Sequence, residues 1–426
     1  MNDKSAIARF CTFCSMVCEG DAERSGSEMA SESFCSRRNR EHDVLQGMLR
    51  SRGRLPDSLE QERSLARANS ILENGRDIFV TGRIQSVETA RATVKFVERA
   101  QGSLDLWDSE ATFDTVQAIQ RSGFYGVSLA EARESTTLLI IVGDDSLLEE
   151  YPRLPAALSA GRSIPTLLLG SWGDESIHAW RQAGFDALAV DCDVQGVPRS
   201  LLQASRLATS WPWESQVGDW LQQASFTTVL WSNRNLPVAH GDLWIESMME
   251  WIAKRNSDRR CAALAWGGLD VGFQQACTWL TGFPGRIRYR RGVLEYDPTG
   301  CRAKAWLQKE ATDSPIVGHR RIRNPVLVWV DDTAGSIPPP VLSSGVPMIV
   351  VSPAGLSGTD PKTIGEEIIW LPTMLPGIEV PAEFFRGDQT LMVHGIQGAT
   401  LAANESEVGN TPTMVAGDWL RRFVAR

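Results

Sequence analysis

Leu138-Leu-Ile-Ile-Val142 is an unbroken apolar run, entered from Thr136-Thr137 and left through Gly143-Asp144-Asp145. A strand with one face in water alternates apolar and polar residues. A strand apolar at every position has both faces covered, the mark of a parallel sheet between layers of helices. Runs of the same kind lie on either side: Ile78–Thr81, Thr166–Leu169, Ala187–Val190, Thr228–Trp231, Cys261–Ala265, Val326–Val330, Met348–Val351 and Ile368–Leu371. Between them, apolar residues at helical spacing predict helices over 57–74, 87–101, 112–121, 177–183, 201–207, 242–255 and 272–280. Strand and helix alternate, so the fold class is α/β with parallel sheets. At 426 residues the chain exceeds what one core supports and should divide into domains.

The net charge of −9 argues against nucleic acid as a partner, because phosphates demand an excess of Lys and Arg. No apolar run reaches the ~18–20 residues that span a bilayer, so no membrane is expected. The opening MNDKSAIARF has no long apolar core followed by a small-residue cleavage site, and a cytoplasmic location is expected. The fifteen Trp residues read as core filler or as interface residues.

Residues 1–50 carry no sustained apolar period but hold half of the eight cysteines: Cys11, Cys14, Cys18 and Cys35. Such a segment lacks the side chains for a core of its own, and a metal is a candidate organiser. The C-x2-C-x3-C spacing followed by a distant fourth thiol suits a [4Fe–4S] cluster. Four-thiolate zinc and an empty site are the alternatives. The other four cysteines, Cys192, Cys261, Cys277 and Cys301, read as small hydrophobes.

The cysteine motif followed by a long α/β body resembles the molybdopterin oxidoreductase superfamily, and within it the B-type subunit of the formylmethanofuran dehydrogenase family. Thr81–Gln101 resembles that family's first strand–turn–helix. Val142-Gly-Asp-Asp with Tyr151-Pro152-Arg153 resembles its "WGxNP…HPR" stretch, and Gly272-Phe-Gln-Gln-Ala-Cys-Thr-Trp279-Leu-Thr-Gly282-Phe-Pro284 its "GFNQxxTWxTGYP" segment. Trp370-Leu-Pro372, Pro376-Gly-Ile-Glu379 and Phe384-Phe-Arg386 resemble its closing motif. The resemblance implies Rossmann-like parallel-sheet domains of molybdopterin-oxidoreductase type behind a small Cys-rich segment. It places that segment at 1–50, a discontinuous α/β domain at 51–135 and 265–426, and an inserted α/β domain at 136–264.

One departure carries more weight than the matches. Where the redox family has "DNTSSVCHGPS", with the Cys that ligates molybdenum or tungsten, this chain has Asp105-Leu-Trp-Asp-Ser-Glu-Ala111-Thr-Phe-Asp-Thr. Asp105 and Gly123, eighteen residues on, fix the register, and the ligand position becomes Ala111. A methyl group cannot donate to a metal; Asp108, Glu110 and Asp114 are the nearby oxygen donors. The resemblance therefore implies a non-catalytic scaffold, without a metal–pterin centre, closest to the B-type subunit of the bacterial formyltransferase/hydrolase complex. Its implied partners are amidohydrolase-like, formyltransferase and C-like subunits acting on a methanofuran-like carrier in one-carbon metabolism. The alternative is an active oxidoreductase with a molybdopterin or tungstopterin centre and a [4Fe–4S] cluster.

No phosphate-binding G-x4-G-K-[ST], no G-x-S-x-G elbow and no paired-histidine metal motif occurs. Arg286, Arg288, Arg290 and Arg291, in a stretch that reads as a hairpin or extended arm, are expected at a solvated edge or a partner contact.

Overall fold

The structure, a computed structural model, describes residues 58–207, 215–310, 316–333, 346–353, 368–395 and 414–423 apart from 108, 235, 237–238, 269, 318–319, 322–323, 378–379 and 390–391. In the N-terminal region it describes residues 9–10, 14–16, 19–20 and 35.

Two sheets organise the chain. The strands are β1 (Asp77–Arg83), β2 (Ser103–Leu104), β3 (Leu138–Asp144), β4 (Ile164–Ser171), β5 (Phe185–Val190), β6 (Phe226–Ser232) and β7 (Arg260–Trp266). They continue with β8 (Ile287–Arg290), β9 (Val293–Tyr296), β10 (Pro325–Asp331), β11 (Met348–Ser352) and β12 (Ile368–Pro372). The first sheet has the order β9-β8-β2-β1-β10-β11-β12: five parallel strands with an antiparallel hairpin at one edge. The second, β5-β4-β3-β6-β7, is parallel throughout. Thr81 of β1 lies opposite Trp329 of β10 in one sheet, and Val142 of β3 opposite Trp231 of β6 in the other.

Every residue of β6, and all but the last of β3, is buried, which accounts for the unbroken apolar runs. Each sheet is covered on both faces. Trp180, Trp231, Trp251, Trp266, Trp329 and Trp419 are among the largest fully buried side chains and fill these cores, whereas Trp279 is 61% exposed. At Gly82 (φ +142°) the backbones of β1 and β10 come so close that a Cβ would lie 1.9 Å from the Val330 carbonyl oxygen. Only glycine fits there.

In both sheets the chain leaves a central strand in one direction and returns to the other side of it, between β1 and β10 and between β3 and β6. Such reversals open a crevice at the strands' carboxyl ends. The helices that matter here are α1 (Val87–Ala100), α2 (Glu110–Ser122), α3 (Gly241–Arg255) and α4 (Val271–Thr281). Helix α1 follows β1 directly. Its first turn is capped by Ser86 and by the buried carboxylate of Asp332, which accepts hydrogen bonds from the amides of Gln85 (2.7 Å) and Ser86 (3.1 Å) and from Ser86 Oγ (2.5 Å). A carboxylate against a helix N-terminus meets both unpaired amides and the positive end of the helix dipole.

Candidate functional site

Ala111 sits in the first turn of α2, beside a crevice where the carboxyl ends of the two sheets meet. Gly82 and Arg83 reach it from β1, Trp107 from beyond β2, Asn233 and Arg234 from beyond β6, and Gly268 from beyond β7. The site belongs to neither sheet alone. Its cavity is about 30 Å³. That holds a water or two, whereas small-ligand sites take roughly 300–1,000 Å³. Thr112, next to Ala111, spans the crevice by donating from Oγ1 to Asp270 Oδ2 at 2.5 Å, which ties α2 to the start of α4.

Behind Ala111 lies an ionic network that is buried at Asp105 and Arg286 and reaches the surface at Glu110 and Arg302. Asp105 (1% exposed) accepts from Ser109 Oγ at 3.0 Å and from the Ala303 amide at 2.9 Å. Arg286 (4% exposed) approaches Asp105 only to 3.8 Å but reaches Glu110 at 2.9 Å, and its guanidinium lies 3.8 Å from the centre of the Phe113 ring. Arg302 makes a second contact with Glu110 at 2.8 Å. Burial raises the Asp105 carboxyl to about 7, against the opposing pull of Arg286, which is shared with Glu110. Asp114 is also raised, by burial first and then by the neighbouring charge of Asp242.

The arginine-rich stretch is a hairpin at a sheet edge, as expected, but Arg286 departs from the solvated placement. The hairpin is β8–β9, and Arg286 at its entrance is inside the protein, paired across more than 170 residues of sequence. Arg288 pairs with Glu295 and Asp297, and only Arg291, in the turn, is exposed. The burial of Arg286 could not be read locally, because its partners Asp105 and Glu110 are remote in sequence. Of the oxygen donors near Ala111, Glu110 is held by two arginines, and Asp108 lies outside the described residues. Trp107 stands edge-on to Trp329 at 5.8 Å, so its ring packs against the first sheet.

Of the four N-terminal cysteines, Cys14 and Cys35 are described; Cys11 and Cys18 lie outside the described residues, as does the convergence expected of the set. Cys14 is 5% exposed and Cys35 partly exposed. A short ribbon, Arg9–Phe10 against Glu19–Gly20, brackets the loop that carries Cys14. Cys14 and Met16 pack in the same apolar cluster as Tyr151 and Trp266, on one face of the second sheet. Elsewhere Cys261, Cys277 and Cys301 are buried, and burial pushes each thiol up to about 12, as for unreactive core residues.

No protein-family model matches the chain, and no curated protein matches it. Among solved structures the fold is similar to a chain in the X-ray crystal structure of the formyltransferase/hydrolase complex (FhcABCD) from Methylorubrum extorquens in complex with methylofuran. The TM-score is 0.66 over 87% of this chain and 96% of that one, at 18% sequence identity. The likeness is one of fold. Among the described residues, no helix is long and apolar enough to cross a membrane.

Proposed function

We propose that this chain is the B-like subunit of a formyltransferase/hydrolase-type complex in methanofuran-linked one-carbon metabolism, and that it serves as a scaffold rather than as a redox enzyme. The observation that carries the reading is the position of Ala111, in a crevice of about 30 Å³ whose wall is pinned by Arg286, Glu110 and Arg302. A molybdenum or tungsten centre would need a thiolate from the protein and room for its pterins. A methyl group in so small a cavity meets neither need. The likeness of fold over 87% of the chain to a component of such a complex supports the assignment to an assembly. The partners are amidohydrolase-like, formyltransferase and C-like subunits. Cys11, Cys14, Cys18 and Cys35 are reserved for a cluster or zinc, or stand vestigial.

The test is to co-express the chain with subunits of those three kinds, purify the assembly without oxygen, and measure metals and released pterin. The expected result is a complex that turns over formyl substrate without molybdenum, tungsten or pterin. Stoichiometric molybdenum or tungsten with bound pterin would restore the oxidoreductase reading. Failure to join any such assembly would remove the scaffold reading.

A further inference from the structure

A Cys-rich N-terminus with no core of its own invites the expectation that a metal holds it in place. The contacts of Ser15 point elsewhere. Ser15, 1% exposed and next to Cys14, makes three hydrogen bonds to remote parts of the chain. Its hydroxyl donates to the Gly267 carbonyl at 2.8 Å and accepts from Trp266 Nε1 at 3.0 Å, across some 250 residues of sequence. Its own carbonyl accepts from the Gly387 amide at 2.7 Å, and the Gly387 carbonyl in turn accepts from the Gly267 amide at 2.8 Å. Three segments remote in sequence are thereby joined at one point: the thiol loop, the exit of β7, and the turn at 386–389. Gly387 is required for the closeness of the joint, since a Cβ there would lie 2.5 Å from the Trp266 ring and 2.9 Å from Ser15 Oγ. Asp388 in the same turn accepts from the Leu129 amide at 2.8 Å, so the joint extends to the helix Leu129–Ser135.

We propose that Ser15 is the latch that fastens the thiol loop into the junction of the two sheets, and that the latch holds whether or not a metal occupies the cysteines. Each contact uses a main-chain group or a Trp N–H that is buried and would lose a partner if the loop lifted. Leaving such groups unmet costs more than a typical exposed hydrogen bond returns. The latch also ends at Gly267, one residue before Gly268 of the crevice wall. The loop therefore braces that wall through covalent continuity, without any bond through a metal.

The experiment is thiol protection in the full chain. N-ethylmaleimide labelling of each cysteine is followed by mass spectrometry, with and without prior treatment by EDTA and 2,2′-bipyridine. In the wild type, Cys14 should label at least about tenfold more slowly than the partly exposed Cys35, and chelation should leave that ratio unchanged. Ser15→Ala should speed labelling of Cys14 about tenfold while Cys261, Cys277 and Cys301 stay protected. If Ser15→Ala exposes all the buried thiols, the milder Trp266→Phe, which removes only the indole donor, decides by the same criterion. Chelation that by itself frees Cys14 in the wild type would overturn the proposal. So would a variant that folds and leaves Cys14 as slow as before.

Discussion

Arg286 shows how one side chain can fix a site it does not line. It occupies a left-handed backbone conformation (φ +50°) at the entrance to β8, and from there it reaches Glu110 and Phe113 on α2 and approaches Asp105. Replacing it by alanine leaves Asp105 buried without a counter-charge. Breaking a buried pair from one side costs about 3–5 kcal/mol. We expect Arg286→Ala to lose about that much in urea unfolding, with the loss growing above neutral pH, where Asp105 must ionise alone. Asp105 also sets a pH dependence of its own. Its folded value, near 7, lies above its ordinary value of 3.8, so the folded chain holds the proton more tightly than the unfolded chain. The stabilisation is therefore complete below about pH 4 and is lost as pH rises toward 7. Asp105→Asn should flatten the fall in stability between pH 4 and 7 and be no less stable than wild type at pH 8. A variant with the wild-type slope would show that Asp105 is not the group responsible.

At the scale of elements, Asp332 has the clearest consequence. It follows β10 and caps α1, so it joins the two sides of the first sheet's reversal. Asp332→Ala would leave two amides at the start of α1 without an acceptor and should cost about 1–3 kcal/mol. Hydrogen exchange should quicken in the first turn of α1 while β3 and β6 remain protected. The sequence was legible where apolar runs are long. All nine runs read as strands are strands, and the strand at Leu138 grows by only two residues, Gly143 and Asp144. It was less legible at polar helix starts. The helix read from Ile177 begins at Asp174 and that from Thr112 at Glu110, because the first turn carries acidic residues that suit the helix dipole rather than an apolar spacing. The ribbon Ala382–Phe385 with Met392–Gly395 escaped notice, being too short to show a period. The site was half legible. Ala111 stood out against the family pattern, whereas Arg302, Asp270 and Ser15 gave no local sign, since each is defined by a partner remote in sequence.

At the scale of the whole molecule, the question is where one folding unit ends and the next begins. The resemblance suggests an inserted unit at 136–264, and the strands of the second sheet fall within 138–266. Its packing reaches further back along the chain. Tyr125 and Val127 exchange main-chain hydrogen bonds with Ala263 of β7, which adds a short extension to that edge of the sheet. Val127, Leu129 and Ala132 belong to the apolar cluster on one face of the sheet, and Ala118 of α2 to the cluster on the other, where α2 lies along α3. Arg121 secures that helix pair to Asp242 at 2.6 Å and also bonds Glu246. We propose that the cooperative unit spans about 110–266, and that α2 is the element shared between the two halves of the molecule. Its body packs on the second sheet while its first turn is held by Arg286 and Arg302 from the first sheet's side. Two fragments test this by circular dichroism during urea unfolding. Residues 110–266 should unfold in a single sigmoidal transition. Residues 136–264 forgo the burial of Val127 and Leu129, worth about 1.5–3 kcal/mol for each side chain, and lose the cover of α2 as well. That fragment should be at least about 4 kcal/mol less stable, or fail to fold, on the same grounds. Equal stability for the two fragments would move the boundary back to residue 136 and assign α2 to the first sheet alone.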